Sequence, residues 1–134
     1  MTNSTTFRKL EPSGKGISDV DHDNSPLGKW YCSIRDTPIS EFTYKDLSRA
    51  CQQELYVNHI VPIAMVRLEE EPLAGEMYEG ELIVAMKSIP INYWKNHPLI
   101  LERLLRVVER VKQLSEDEQV VHGVNELAEK IPLK

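Results

Sequence analysis

Leu99-Ile-Leu-Glu-Arg-Leu-Leu-Arg-Val-Val-Glu-Arg-Val-Lys-Gln-Leu114 is the stretch whose reading decides the fold class. On a helical wheel Ile100, Leu101, Leu104, Leu105, Val107, Val108 and Val111 cover one broad face, and Glu102, Arg103, Arg106, Glu109, Arg110 and Gln113 take the other. Lys112 falls at the edge of the apolar face, where its stem can lie along the core while its ammonium reaches water. Pro98 stands where the first turn of a helix accepts proline. A stripe this wide must be buried against other elements, and the nearest helical pattern long enough to receive it runs from Tyr56 to Leu68. Leu101, Leu104, Leu105 and Val108 are therefore expected to pack there, with Leu105 as a core position.

Working outward, Ser115-x-x-Glu118 reads as a capping box opening a helix through Val120, Val121, Val124, Leu127 and Ala128 that Pro132 ends. In the other direction, Asn92 is placed to cap a single turn carrying Tyr93 and Trp94. Tyr78 to Ser88 keeps a helical period through Leu82, Ile83, Ala85 and Met86, with a strand at Ile83-Val84 as the alternative. From Tyr56 to Glu70 the positions Val57, Ile60, Val61, Ala64, Met65 and Leu68 hold helical spacing across Pro62, where the helix either kinks or begins. Thr43-x-x-Asp46 is a capping box for a helix through Leu47, Ala50, Cys51 and Leu55. Ser25-Pro26 is an N-cap and N1 pair ahead of Leu27, Trp30, Tyr31 and Ile34, a short helix ended before Pro38. These segments predict a single-domain, all-α helical bundle of five to six helices over residues 25–134. Residues 1–24, with Pro12, Gly14 and Gly16 and apolar residues too sparse for any period, read as a loosely ordered N-terminal arm.

The chain has 134 residues, 41% of them apolar, enough for one core without a metal or disulfide. Sixteen basic against 21 acidic residues leave a net charge of −5, the opposite of the electrostatic footprint that binds nucleic acid directly. Two cysteines, Cys32 and Cys51, are too few for a secreted disulfide framework, and the N-terminal stretch lacks the apolar core of a signal peptide. No apolar stretch approaches the ~20 residues of a membrane span. These features predict a cytoplasmic protein with no membrane segment.

Catalytic and metal chemistry find little support. Asp19, Asp21 and Asp23 imitate the opening of a calcium loop, but Asn24 replaces the glycine and Trp30 the bidentate glutamate that such a loop needs, which favours a solvated acidic loop. His22, His59, His97 and His122 have no His or Cys partner at helical spacing, so no metal and no cofactor is expected. Cys51 and His59 are the one conceivable nucleophile–base pair, yet a cysteine on an apolar helical face is ordinarily a small core residue. Phosphate-binding and nucleophile-elbow motifs are absent. The expectation is a protein that is not an enzyme.

Charge segregation is the distinctive feature. Between Arg67 and Lys87 lie Glu69, Glu70, Glu71, Glu76, Glu79 and Glu81 with no Lys or Arg among them, a local charge of −6. Glu116, Asp117, Glu118, Glu126 and Glu129 form a second run between Lys112 and Lys130. Such runs are often only solvated helix ends. The sharper reading is an acidic surface bearing Tyr78 that docks on a basic cleft, where complementary potential speeds encounter and an aromatic supplies affinity.

Asp46-Leu47, Pro62-Ile63-Ala64, Leu68, Pro72-Leu73, Gly75, Tyr78, Gly80-Glu81-Leu82-Ile83, Trp94 and Pro98-Leu99 occur in an order and spacing that resembles the small CdiI-type immunity proteins of bacterial contact-dependent growth inhibition (CDI) systems. Arg35-x-x-Pro38-Ile39 extends the likeness, which covers about residues 27 to 99. The chain departs at Glu81, where the family has Asp, and at Glu71, where Asn commonly precedes the proline. The resemblance implies a stoichiometric inhibitor that binds a cognate CdiA C-terminal toxin domain, often a nuclease, and blocks it in the cytoplasm. It implies structural roles for its motifs, with Pro72 and Gly80 shaping helix breaks and Leu82, Trp94 and Leu99 packing. Toxin-binding residues are placed on Glu69, Glu70, Glu71, Glu76, Tyr78, Glu79 and Glu81, because carboxylates can occupy the phosphate positions of a nuclease cleft. The alternative is a helical adaptor or scaffold protein using the same surface on another cytosolic protein.

Overall fold

The computed structural model describes residues 5–11, 25–76 and 78–131. Among them are eight α-helices and no strand: α1 (Phe7–Leu10), α2 (Pro26–Ile34), α3 (Tyr44–Gln52), α4 (Val57–Glu70), α5 (Glu81–Ala85), α6 (Ile91–Asn96), α7 (Pro98–Leu114) and α8 (Glu118–Lys130), with 3-10 turns at Ile39–Glu41 and Met86–Ser88. The all-α class holds, and the count exceeds the expected five to six. The surplus comes from α1 and α6, which are too short to show a 3.6-residue period. The acidic stretch Asp19 to Asp23 and Pro132 lie outside the described residues.

The chain forms two compact units, Met1–Phe42 and Thr43–Lys134. In the first, Ser25 caps α2 by accepting the Gly28 amide, and Pro26 opens the helix. The sequence reading places Phe7–Leu10 in a loose arm; here it is a helical turn whose Phe7 is fully buried, stacked on Tyr31 and edge-on to Phe42. Two backbone bonds hold it, Arg8 N–H to the Arg35 carbonyl at 3.1 Å and Ile39 N–H to the Thr5 carbonyl at 2.9 Å. Glu11 accepts from Arg35 Nε and Nη2 and from the Tyr31 hydroxyl at 2.7–3.2 Å in a buried cluster. Burial alone raises the Glu11 carboxyl, but the Arg35 and Tyr31 hydrogen bonds and the guanidinium charge outweigh it and hold the group below its ordinary value.

In the second unit both bonds of the Thr43–Asp46 capping box form. Leu55 falls beyond the end of α3 at Gln52, in a tight turn where Glu54 and Tyr56 take left-handed backbone. From there α4 runs through Pro62 rather than beginning at it. Short α5 lies at the centre, packed on α3, α4 and α8, and its Leu82 and Ile83 are fully buried. The helix expected from Tyr78 therefore begins only at Glu81, and the strand alternative does not occur.

Helix α7 packs on α4, as its stripe requires, and buries Leu101, Leu104, Val107, Val108 and Val111. Leu105 is only half-buried, because it lies at the margin of the stripe beside Glu109. Leu99, expected to pack, is 75% exposed: on the wheel it shares the polar side of α7 with Arg106 and Arg110. Trp94 is fully buried. Two caps differ from expectation. Asn92 is inside α6, which begins after Pro90. Asp117 rather than Ser115 caps α8, accepting the Gln119 and Val120 amides at 2.9 and 3.4 Å, while Ser115 Oγ accepts the Asp117 amide at 3.2 Å. A carboxylate at this position also opposes the positive end of the helix dipole.

Candidate interaction surface

Glu69 and Glu70 end α4 and Glu71 follows as its C-cap, where the negative end of the helix dipole disfavours them. The polar side of α7 supplies the compensation. Arg103 forks onto the Glu69 carboxylate through Nε at 2.8 Å and Nη2 at 2.7 Å, and Arg110 Nη1 donates to the Glu69 carbonyl at 3.2 Å. The Arg103 hydrogen bonds, with the added charge of Arg106, hold the Glu69 carboxyl below the usual range against a smaller effect of desolvation. Glu69, unopposed along the sequence, is thus opposed across 34 residues of chain.

Beyond α4 the chain folds into a compact acidic loop. The Ala74 amide donates to the Glu71 carbonyl at 3.0 Å, the Gly80 amide to Leu73 at 3.0 Å and the Leu82 amide to Ala74 at 3.1 Å. Pro72, Ala74 and Gly80 are buried, and Glu71, Glu76, Tyr78 and Glu79 are exposed, Tyr78 at 38%. Gly80 is needed for its left-handed φ of 80°, and a Cβ there would stand 2.9 Å from Val120 Cγ1. Glu81 does not share this surface: it is 7% exposed, and its Oε1 accepts the Glu76 amide at 2.9 Å.

The Gly80–Val120 contact brings the ends of the two acidic runs together. Tyr78 and Glu79 immediately precede Gly80, and exposed Glu116, Asp117 and Glu118 lead into the first turn of α8 that carries Val120. Further along α8, Glu126 is engaged by Lys87 Nζ at 2.5 Å and by His122 Nε2 at 3.3 Å. Of the seven residues selected from sequence, the structure leaves Glu70, Glu71, Glu76, Tyr78 and Glu79 on the surface, couples Glu69 to arginine and buries Glu81. The missed residues are Arg103 and Arg110; their spacing along α7 is visible in the sequence, but nothing there pairs them with Glu69.

The alternative chemistry has no support in the geometry. Cys51 is fully buried, and desolvation pushes its thiol up to about 12, so the nucleophilic thiolate is suppressed at neutral pH. His59 is exposed. Among the described residues no group of three or more His, Cys, Asp or Glu is arranged to hold a metal ion, and no helix is long and apolar enough to cross a membrane.

Comparison with known proteins agrees with the resemblance read from the sequence. A family described as CDI immunity proteins matches residues 11–104, well over half the chain. The match spans α2 to the first part of α7, includes the whole acidic loop and stops before α8. Among curated proteins, none matches the chain.

Proposed function

Since the chain belongs to the CDI immunity proteins, toxin inhibitors rather than enzymes, we propose that it binds a cognate CdiA C-terminal toxin domain in the cytoplasm and neutralises it in a stoichiometric complex. The toxin class we favour is a nuclease, because a cleft built for phosphates presents the basic groups that an acidic surface complements. The docking surface we assign is the loop carrying Glu71, Glu76, Tyr78 and Glu79, with Glu70 beside it and Glu116 to Glu118 as a contiguous second edge.

The observation that carries this reading is the combination of acids and one half-exposed aromatic on a loop whose backbone is already bonded. Carboxylates steer encounter, while an aromatic anchor in a partly desolvated setting supplies affinity. Glu69 belongs to the edge, because its carboxylate is already engaged by Arg103.

Co-expression with the toxin domain encoded directly upstream tests the function: growth is restored by the wild-type chain, and the nucleic acid degraded in unprotected cells identifies the target. Charge reversal at Glu70, Glu76 and Glu79 together should slow association in a salt-dependent way and weaken protection while the isolated protein stays folded. Reversal of Glu116 and Glu118, with Asp117 kept as the cap of α8, should have a smaller effect of the same kind. Normal, salt-independent binding by both variants would remove the electrostatic surface from the proposal.

A further inference from the structure

On the reading that the acidic loop meets the toxin, we infer that Glu81 is a positioning residue for that loop, acting through the backbone of Glu76 rather than by touching the partner. Glu81 is the first residue of α5 and is 7% exposed, so its carboxylate is withdrawn from any docking partner. Its Oε1 reaches back five residues to accept the Glu76 amide at 2.9 Å. The neighbouring ties are main-chain bonds at Leu73, Ala74 and Tyr78, accepting from Gly80, Leu82 and Glu81. At Glu76 a side chain takes the place of the main-chain acceptor. Gly75 makes the approach possible, since a Cβ there would stand 2.8 Å from Glu81 Cβ.

A loop held in its bound shape does not lose affinity to the ordering of its backbone. Loss of the Glu81 acceptor leaves the Glu76 amide to seek water, and the loop then spends part of its time in other conformations. Apparent affinity falls in proportion to the competent fraction, so a loop competent one-tenth of the time binds about tenfold more weakly. Such a loss is independent of salt, unlike the loss of a charge that faces the partner.

Two variants of similar size separate acceptor from charge. Glu81→Gln keeps a carbonyl acceptor and removes the charge; Glu81→Met fills the space with no strong acceptor. Amide hydrogen exchange is measured on the intact chain, and binding on the purified, catalytically inactivated toxin domain encoded upstream, at low and high salt. The expected result is a Glu76 amide that exchanges faster by about tenfold or more in Glu81→Met and stays protected in Glu81→Gln. Toxin Kd should rise about tenfold for Glu81→Met at every salt concentration and by less than about twofold for Glu81→Gln. Unchanged exchange at Glu76 in Glu81→Met overturns the brace itself. Equal, salt-dependent weakening by both variants overturns positioning in favour of direct contact. A loosened Glu76 amide with unchanged affinity overturns the role in binding and places the fault with the docking surface.

Discussion

The Glu69 carboxylate is forked on the Arg103 guanidinium, with both oxygens engaged at 2.7 and 2.8 Å. One charge of the densest part of the acidic run is therefore balanced by the polar side of α7, and Glu70, Glu71, Glu76 and Glu79 stay exposed beyond it. As a pair exposed by about a third or more on each side, it contributes only about 0.2–1 kcal/mol to stability.

Glu69→Gln should accordingly leave toxin association nearly unchanged, whereas Glu76→Lys with Glu79→Lys should slow it several-fold at low salt. Stopped-flow association rates across a salt series decide between them. A larger effect from Glu69 would return the interface to the end of α4.

Gly123 places α8 against α5, because a Cβ on it would stand 2.8 Å from Val84 Cγ2 and 3.2 Å from Val84 Cγ1. Valine is stiff at χ1 and cannot turn aside cheaply. Gly123→Ala should therefore cost about 1–3 kcal/mol by overpacking, despite alanine's better helix propensity. Urea denaturation measures it; stabilisation would mean that α8 does not approach α5 this closely.

Leu104→Ala should cost about 2–5 kcal/mol, since Leu104 is fully buried between α7 and its neighbours. Leu105→Ala should cost distinctly less, because its half-exposed side chain leaves a smaller cavity. The comparison of the two midpoints checks the rotation of α7 about its axis.

Glu11 and Arg35 form the buried ion pair of the first unit, with side chains 5% and 3% exposed. The folded carboxyl titrates below its ordinary value of 4.5, so its stabilisation is complete above that pH and is lost as pH falls through the lower folded value. Glu11→Gln should flatten the acid limb of the stability–pH curve, and Arg35→Ala, which leaves the carboxylate buried without its cation, should cost about 3–5 kcal/mol at neutral pH. Denaturation from pH 3 to pH 7, approximate limits chosen to bracket the ordinary carboxylate range, reads both effects.

What is legible in the sequence is what recurs locally along the chain. The α7 stripe repeats every three or four residues, the Thr43–Asp46 box closes within one turn, and Ser25-Pro26 starts a helix through a local side-chain cap and the fixed φ of proline, so helix type and family motif could be read without knowing where anything packs. The tertiary structure decided which acids remain available, because charge pairing depends on how α4 and α7 cross. It joins Glu69 to Arg103 and buries Glu81 behind the loop that the sequence shows only as a run of like charges. Phe7 and Leu99 make the same point from the apolar side: one is enclosed by Tyr31 and Phe42, the other turned to water on the polar side of its helix. Hydrophobicity states the cost of exposure for each residue, whereas the direction of the side chain on its helix and the position of the neighbouring elements determine whether that cost is incurred.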